Sequence, residues 1–167
     1  MELKKIIKLL NLKKHPEGGY YSETYRAKGI INKECLPENY LKDRVFSTTI
    51  YYLLDKDDFS EIHRLKSDEI FHFYYGDPVK FLLLYPNGNG KTIILGNELE
   101  SGIFPQLIIP AGIWQGIKII NKKLGFSLMG TTVSPGFEFH DYEKGDRLKL
   151  SEKYPDYKNQ IEKLTRK

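Results

Sequence analysis

An all-β sandwich or barrel, closed by a short helix at each end, is the fold this sequence predicts, on three observations. Short runs of apolar and aromatic residues recur through the middle of the chain. Turn chemistry separates them, at Gly76-Asp77-Pro78, Asn87-Gly88-Asn89-Gly90 and Asn121-Lys122-Lys123-Leu124-Gly125. Between them no segment has the length and period of a crossover helix, which leaves antiparallel strands as the building unit.

The elements follow in order. Leu3, Ile6, Ile7 and Leu10 recur at helical spacing and predict an amphipathic helix within 2–12. His15-Pro16-Glu17-Gly18-Gly19 ends it, because proline and paired glycines break the pattern. Tyr and Thr alternate with polar residues over 20–26, a strand. Residues 27–43 are polar, are interrupted by Gly29 and Pro37, and read as a loop. Strands are then expected at 46–54, 61–65, 69–75, 79–85, 91–95, 106–109, 115–120 and 126–133. Ile161 and Leu164 in a charged context predict a helical tail within 151–167, begun near Pro155. With no internal repeat, residues 1–167 read as one domain whose β core spans 19–142.

Composition narrows the function. A length of 167 residues is enough to bury a core. The net charge of +4 comes from scattered lysines and not from a basic stripe interleaved with stacking aromatics, so no nucleic-acid partner is expected. The 12 Tyr and 9 Phe suit β-structure or an aromatic-walled ligand pocket. Cys35 is the sole cysteine, which excludes an intrachain disulfide and fits a reducing compartment; with no base beside it, it is a poor nucleophile. No run approaches the roughly 20 apolar residues of a bilayer span. The first ten residues carry lysines inside their apolar run and no small-residue cleavage site, so a cytoplasmic location without membrane attachment is expected. Gly88 and Gly90 lack the flanks of a phosphate loop, and Gly-x-Ser-x-Gly and His-Glu-x-x-His are absent.

The candidate site lies on the strands around residue 65. Period two puts His63 and Leu65 on one face, and Glu69, Phe71 and Phe73 on one face. A glutamate inside a barrel is costly unless paired, and His63 is its natural partner. The expected roles are His63 as general base and Glu69 as the group that orients it. Leu65, Phe71 and Phe73 are expected as apolar walls, and Gln115 as an uncharged donor and acceptor facing the same space. Burial and mutual attraction oppose each other in this pair, so spacing leaves the net pKa shifts open. His72 stands three residues after Glu69, on the opposite face unless a bulge intervenes, and is a further ligand-binding candidate. His15 and His140 fall at element boundaries and read as exposed or capping groups.

These residues resemble the cupin superfamily. His63, Glu69 and Gly76 match its first motif, whose second histidine is replaced by Leu65; Pro110 and Gly112 match its second, whose histidine is replaced by Gln115. The chain is more closely similar to one cupin subfamily without an assigned reaction. That subfamily is marked by strings like His15-Pro16-Glu17-Gly18-Gly19-Tyr20-Tyr21-Ser22-Glu23-Thr24-Tyr25-Arg26, Ser67-Asp68-Glu69-Ile70-Phe71-His72, Pro110-Ala111-Gly112-Ile113-Trp114-Gln115 and Val133-Ser134-Pro135-Gly136-Phe137-Glu138-Phe139. The resemblance implies a jelly-roll barrel with an internal pocket, commonly in a homodimer. Metal-dependent cupins rely on histidines where Leu65 and Gln115 stand, so no metal is expected here and the cofactor is left open. Metal-free cupin epimerases use a histidine base and a tyrosine acid across a sugar ring. The expectation is therefore a small polar ligand, such as a sugar or nucleotide derivative, with epimerase- or isomerase-like proton transfer. A non-catalytic binding protein is the first alternative, and a metal enzyme using His63, Glu69 and Gln115 the second.

Overall fold

The computed structural model describes residues 2–166. Three helices and thirteen strands follow in the order α1 Leu3–Leu9, β1 Lys13–Lys14, β2 Tyr20–Arg26, β3 Ile30–Ile31, β4 Arg44–Val45, β5 Thr48–Asp55, β6 Phe59–Arg64, β7 Asp68–Gly76, β8 Val79–Leu84, β9 Gly90–Leu95, β10 Gln106–Ile109, β11 Trp114–Ile119, β12 Phe126–Ser134, β13 Glu143–Lys144, α2 Arg147–Lys153 and α3 Lys158–Lys163. All the strands paired in the sheets run antiparallel. A six-stranded sheet, β1-β2-β5-β12-β7-β10, faces a five-stranded one, β13-β6-β11-β8-β9. This is the sandwich that the strand pattern predicts, in the double-sheet jelly-roll form that the resemblance implies.

The inner faces meet in a core that includes Tyr52, Leu54, Phe71, Phe81, Leu83, Ile117 and Met129. Strands β8 and β11 carry apolar residues on both faces, Leu83 and Ile117 inward and Leu82 and Trp114 outward, because both faces are covered. The second cover is helical. Leu150 of α2, Ile161 of α3 and Leu164 pack with Ile62, Leu82, Leu84 and Trp114. Gly116 permits that approach: a Cβ there would stand 2.7 Å from Ile62 and 3.2 Å from Leu164. On the other sheet, α1 lays Ile6, with Leu12, against Leu53 and Phe126. The two helical caps thus sit on opposite outer faces and leave the space between the sheets to the apolar core and the polar residues beside it.

Two expectations need correction. The segment 27–43 is not wholly a loop, since Ile30–Ile31 pairs with Arg44–Val45 as a small hairpin. Its anchor is Arg44, buried completely, whose Nε donates to Asp141 Oδ2 at 2.7 Å and whose Nη1 donates to the carbonyls of Lys42 and Asp43 at 2.6 and 2.7 Å. The C-terminal helical region starts before Pro155, at Arg147, because Asp146 caps it by accepting from the Lys149 N–H at 2.9 Å.

Candidate functional site

β6 and β7 belong to different sheets, and the chain crosses between them at Leu65-Lys66-Ser67. Tyr40 fixes this corner, its hydroxyl lying 2.9 Å from Ser67 Oγ and donating to the Lys66 carbonyl at 3.0 Å. The crossing sets His63 and Glu69 on facing walls of one interior. Gln115 pairs with His63 across β6 and β11. Its Nε2 donates to Glu69 Oε2 at 2.6 Å and lies 3.4 Å from His63 Nε2. The three residues expected at one site are therefore brought together, all buried.

The structure alters their roles. The group that orients His63 is not Glu69 but the backbone of its own strand. Nδ1 lies 2.8 Å from the Glu61 carbonyl, so that nitrogen carries the proton and Nε2 is the acceptor. Gln115 is not a wall of the cavity; it stands behind His63 and Glu69 and spans them, with Oε1 buried and unbonded. Leu65 and Phe71 line the cavity as expected. Phe73 does not, and packs at the border of the apolar core. His72 is also outside it. Its Nε2 is 3.5 Å from the Thr132 hydroxyl, on the sheet face opposite to Glu69 and Phe71, because the bulge in this pairing lies beyond His72, where Phe73 and Tyr75 face β12.

The cavity holds about 260 Å³, and its other walls come from β5, from β12 and the Phe137–Phe139 stretch after it, and from β1, β2 and the turn between them. His15 and Glu17 lie in that turn. His15 N–H donates to the Gly19 carbonyl at 3.0 Å and the Gly18 N–H to the His15 carbonyl at 3.1 Å. Gly18 (φ +116°) and Gly19 (φ +71°) take left-handed conformations that L side chains rarely adopt, and a Cβ on Gly18 would stand 2.1 Å from the Phe59 carbonyl. The turn is tied from below by Arg166, whose Nη1 donates to the Glu17 carbonyl at 2.7 Å and whose Nη2 donates to Asp58 at 2.8 Å. The Arg166 N–H also reaches Glu61 at 2.7 Å. So the far end of the chain fixes the position of Glu17.

His15 is thus a cavity residue and not an exposed cap. Its Nδ1 accepts from the Glu17 N–H at 3.3 Å, and its ring meets Tyr21 edge-on at 4.6 Å. Glu17 Oε2 lies 3.4 Å from His63 Nδ1 and accepts from the Ser60 hydroxyl at 3.4 Å. Tyr142 stacks on the His63 ring at 5.5 Å. His15, Glu17, Ser60, Tyr142 and Arg166 have no local pattern that marks them as site residues. For His15 and Glu17 the one available signal is the resemblance, which includes them in a marker segment.

Burial controls the charges here. It pushes the Glu17 carboxyl up to about 8, opposed by the Ser60 hydroxyl, and the Glu69 carboxyl up to about 7, opposed by His63. It lowers the His15 imidazole to about 4, helped by His63, and lowers that of His63 against the pull of Glu69. Near neutral pH both imidazoles are uncharged, Glu17 is mostly a neutral acid and Glu69 is near its midpoint. The cavity thus offers proton donors and acceptors side by side without a fixed net charge.

Comparison with known proteins identifies the class. The family model described as Cupin superfamily (DUF985) matches residues 4–145, and the chain belongs to this family. It is 31% identical over 155 residues to "Uncharacterized protein YML079W" of Saccharomyces cerevisiae, covering 84% of this chain and 73% of that protein. The crystal structure of protein SO0799 from Shewanella oneidensis superposes with a TM-score of 0.86 at 34% identity, covering 99% of this chain and 98% of that one. A hypothetical protein from Leishmania major gives 0.89 at 30% identity over the full length of both chains. Bacillus subtilis oxalate decarboxylase shares the fold alone, at 13% identity and a TM-score of 0.54 over 92% of this chain and 38% of its own.

The donor set does not fit the metal ion that cupins with all three motif histidines hold. Of the four positions only His63 and Glu69 keep a ligating group, Leu65 supplies none, and Gln115 turns its amide nitrogen toward Glu69. Among the described residues no group of three or more His, Cys, Asp or Glu is arranged to hold a metal ion.

Proposed function

We propose that the cavity binds a small polar molecule, such as a sugar or nucleotide derivative, and transfers protons to and from it without a metal. The observation that carries this reading is the meeting of Glu17, Glu69, His15 and His63 around one cavity, with the carboxyls held up to about 8 and about 7. Catalytic groups work best with pKa values near the operating pH. In this reading Glu69 and His63 Nε2 are the acceptors and Glu17 is the donor. Its neutral carboxyl is better matched to that task than Tyr52 or Tyr142, whose hydroxyls burial pushes to still higher values. The cavity volume suits a ligand of monosaccharide size.

A second reading, a binding protein without catalysis, is favoured by one contact. The Gln115 amide nitrogen lies 3.4 Å from His63 Nε2, the only free acceptor of that ring. The two readings separate by incubating the protein in D₂O with a panel of sugars and sugar nucleotides and reading deuterium at carbon by mass spectrometry. Exchange that is lost in Glu69→Gln supports proton transfer. Binding by the native protein without exchange at any carbon leaves the binding reading in its place.

The proposal includes a homodimer. Beyond Tyr21, strand β2 has a partner on one side only, and Tyr25 on it is exposed, so a second copy would find an open edge there. Light scattering at micromolar concentration tests it, and a monomer mass refutes it. Among the described residues no helix is long and apolar enough to cross a membrane.

A further inference from the structure

The acid–base reading uses only the start of the segment His15 to Arg26, yet its far end reaches the same cavity. On β2, Tyr21 and Glu23 face inward, as period two requires. The register against β5 then shifts between Glu23 and Tyr25. This bulge turns Tyr25 outward, where it is 56% exposed, and brings Arg26 onto the cavity wall. Without the shift, alternation would place Arg26 on the outer face.

Glu23 holds the guanidinium in place. Arg26 Nε donates to Glu23 Oε1 at 3.0 Å and Nη2 donates to Oε2 at 2.9 Å. That leaves Nη1, which donates to Glu138 Oε1 at 2.9 Å. Glu23 belongs to the same strand, three residues away, whereas Glu138 arrives from the segment after β12. The Arg26 and Glu138 side chains are each 39% exposed. An ion pair this exposed is weak, so exchanging Glu138 for another oxyanion costs little. Lys13 on β1 lines the same wall, its Nζ 4.9 Å from the Tyr21 ring centroid, and makes no ion pair among the described residues. The arginine fork suits a phosphate or carboxylate, with the lysine as a second point charge.

We infer that Arg26 and Lys13 form an anion subsite at the cavity rim, which takes a phosphate or carboxylate group of the ligand in the place held by the Glu138 carboxylate. The inference rests on the cavity being the ligand site, and it adds a chemical class: the ligand is an acid at one end. Its uncharged polar end then reaches Glu17, His63 and Glu69. Glu138 is a resident competitor, and its release loosens the stretch whose Phe137 and Phe139 rings line the same cavity.

Calorimetric titration of the full chain with pyrophosphate and, separately, with malonate at fixed ionic strength tests this. Glu138→Gln removes the competitor at nearly constant size and should bind one of the two probes about fivefold more tightly than the native protein. The probe that gains tells whether the subsite prefers phosphate or carboxylate. Arg26→Gln should lose about tenfold, with Arg26→Lys between, because the lysine keeps charge but not the fork. Lys118→Gln makes the same charge change away from the cavity and should leave binding within about twofold. Equal affinity in the native protein, Glu138→Gln and Arg26→Gln overturns the subsite, as does the absence of saturable binding by both the native protein and Glu138→Gln. Either failure leaves the deuterium-exchange test of the acid–base reading untouched, so the two are judged separately.

Discussion

Four glutamates line one cavity and fall into two pairs that behave oppositely. At the floor, the Glu17 and Glu69 carboxyls have hydroxyl, amide and imidazole neighbours but among the described residues no ion pair with an arginine or lysine, and burial holds protons on them at values where a free carboxyl is ionised. At the rim, Glu23 and Glu138 share Arg26 and keep partial access to water. The side chain is the same and its environment decides its charge. The floor is thereby suited to moving protons and the rim to recognising charge.

The largest effect should come from breaking the support of the rim. Arg44 and Asp141 form a bidentate pair with side chains 0% and 2% exposed, and Asp141 stands three residues after Glu138. Asp141→Ala strands a buried guanidinium and should cost about 3–5 kcal/mol in denaturant unfolding. Anion binding at the rim should fall with it. If stability holds within ~1 kcal/mol, the pair does not support the rim.

Next in size is a pH effect at the floor. A carboxyl with a raised folded pKa binds more protons folded than unfolded, so stability falls as pH rises from the unfolded value toward the folded one. The buried histidines act in the opposite sense, but only below their unfolded value of about 6.5. Between about 6.5 and about 8 the carboxyls act alone, and the protein should lose stability across that window. Glu17→Gln should flatten the loss above about 7, read as melting temperature against pH. An unchanged slope would mean that Glu17 ionises normally.

Two substitutions at the floor should then separate. Glu69→Gln preserves shape and should leave ligand affinity largely intact while slowing proton transfer about 100-fold or more. His63→Ala removes the ring stacked on Tyr142 and opens a void, so it should lose turnover and much affinity together. Parallel losses in both variants would make Glu69 a binding group and not an acceptor.

The smallest effect on stability belongs to Arg26→Gln, under ~1 kcal/mol in the same unfolding measurement, because its partners are exposed. A larger loss would make the rim pair structural and blur the contrast with the floor.

Alternation and turn chemistry by themselves determined the β-architecture, since the period of two and the positions of Gly76, Asn87-Gly88 and Gly125 are local properties of the chain. The strands from Val79 to Leu95 and from Gln106 to Val133 accordingly fall within a residue or two of where the pattern puts them. The resemblance grouped His63, Glu69 and Gln115, and the fold brings them together by pairing Gln115 with His63 across β6 and β11 while Glu69 faces them from the other sheet. What the tertiary structure alone decided is what each group touches. Gln115 was legible as a polar residue on the inner face, but only the packing shows it behind His63 and Glu69 and not on the cavity wall. His15 and Glu17 sit at a helix stop in the sequence, and they reach the floor because two positive-φ glycines and Arg166, from the other end of the chain, fold that turn inward. Arg26 faces the rim through a bulge, an offset of one residue between two strands. A period read along one strand carries no information about where its partner slips, so these contacts exist only once the sheets have closed.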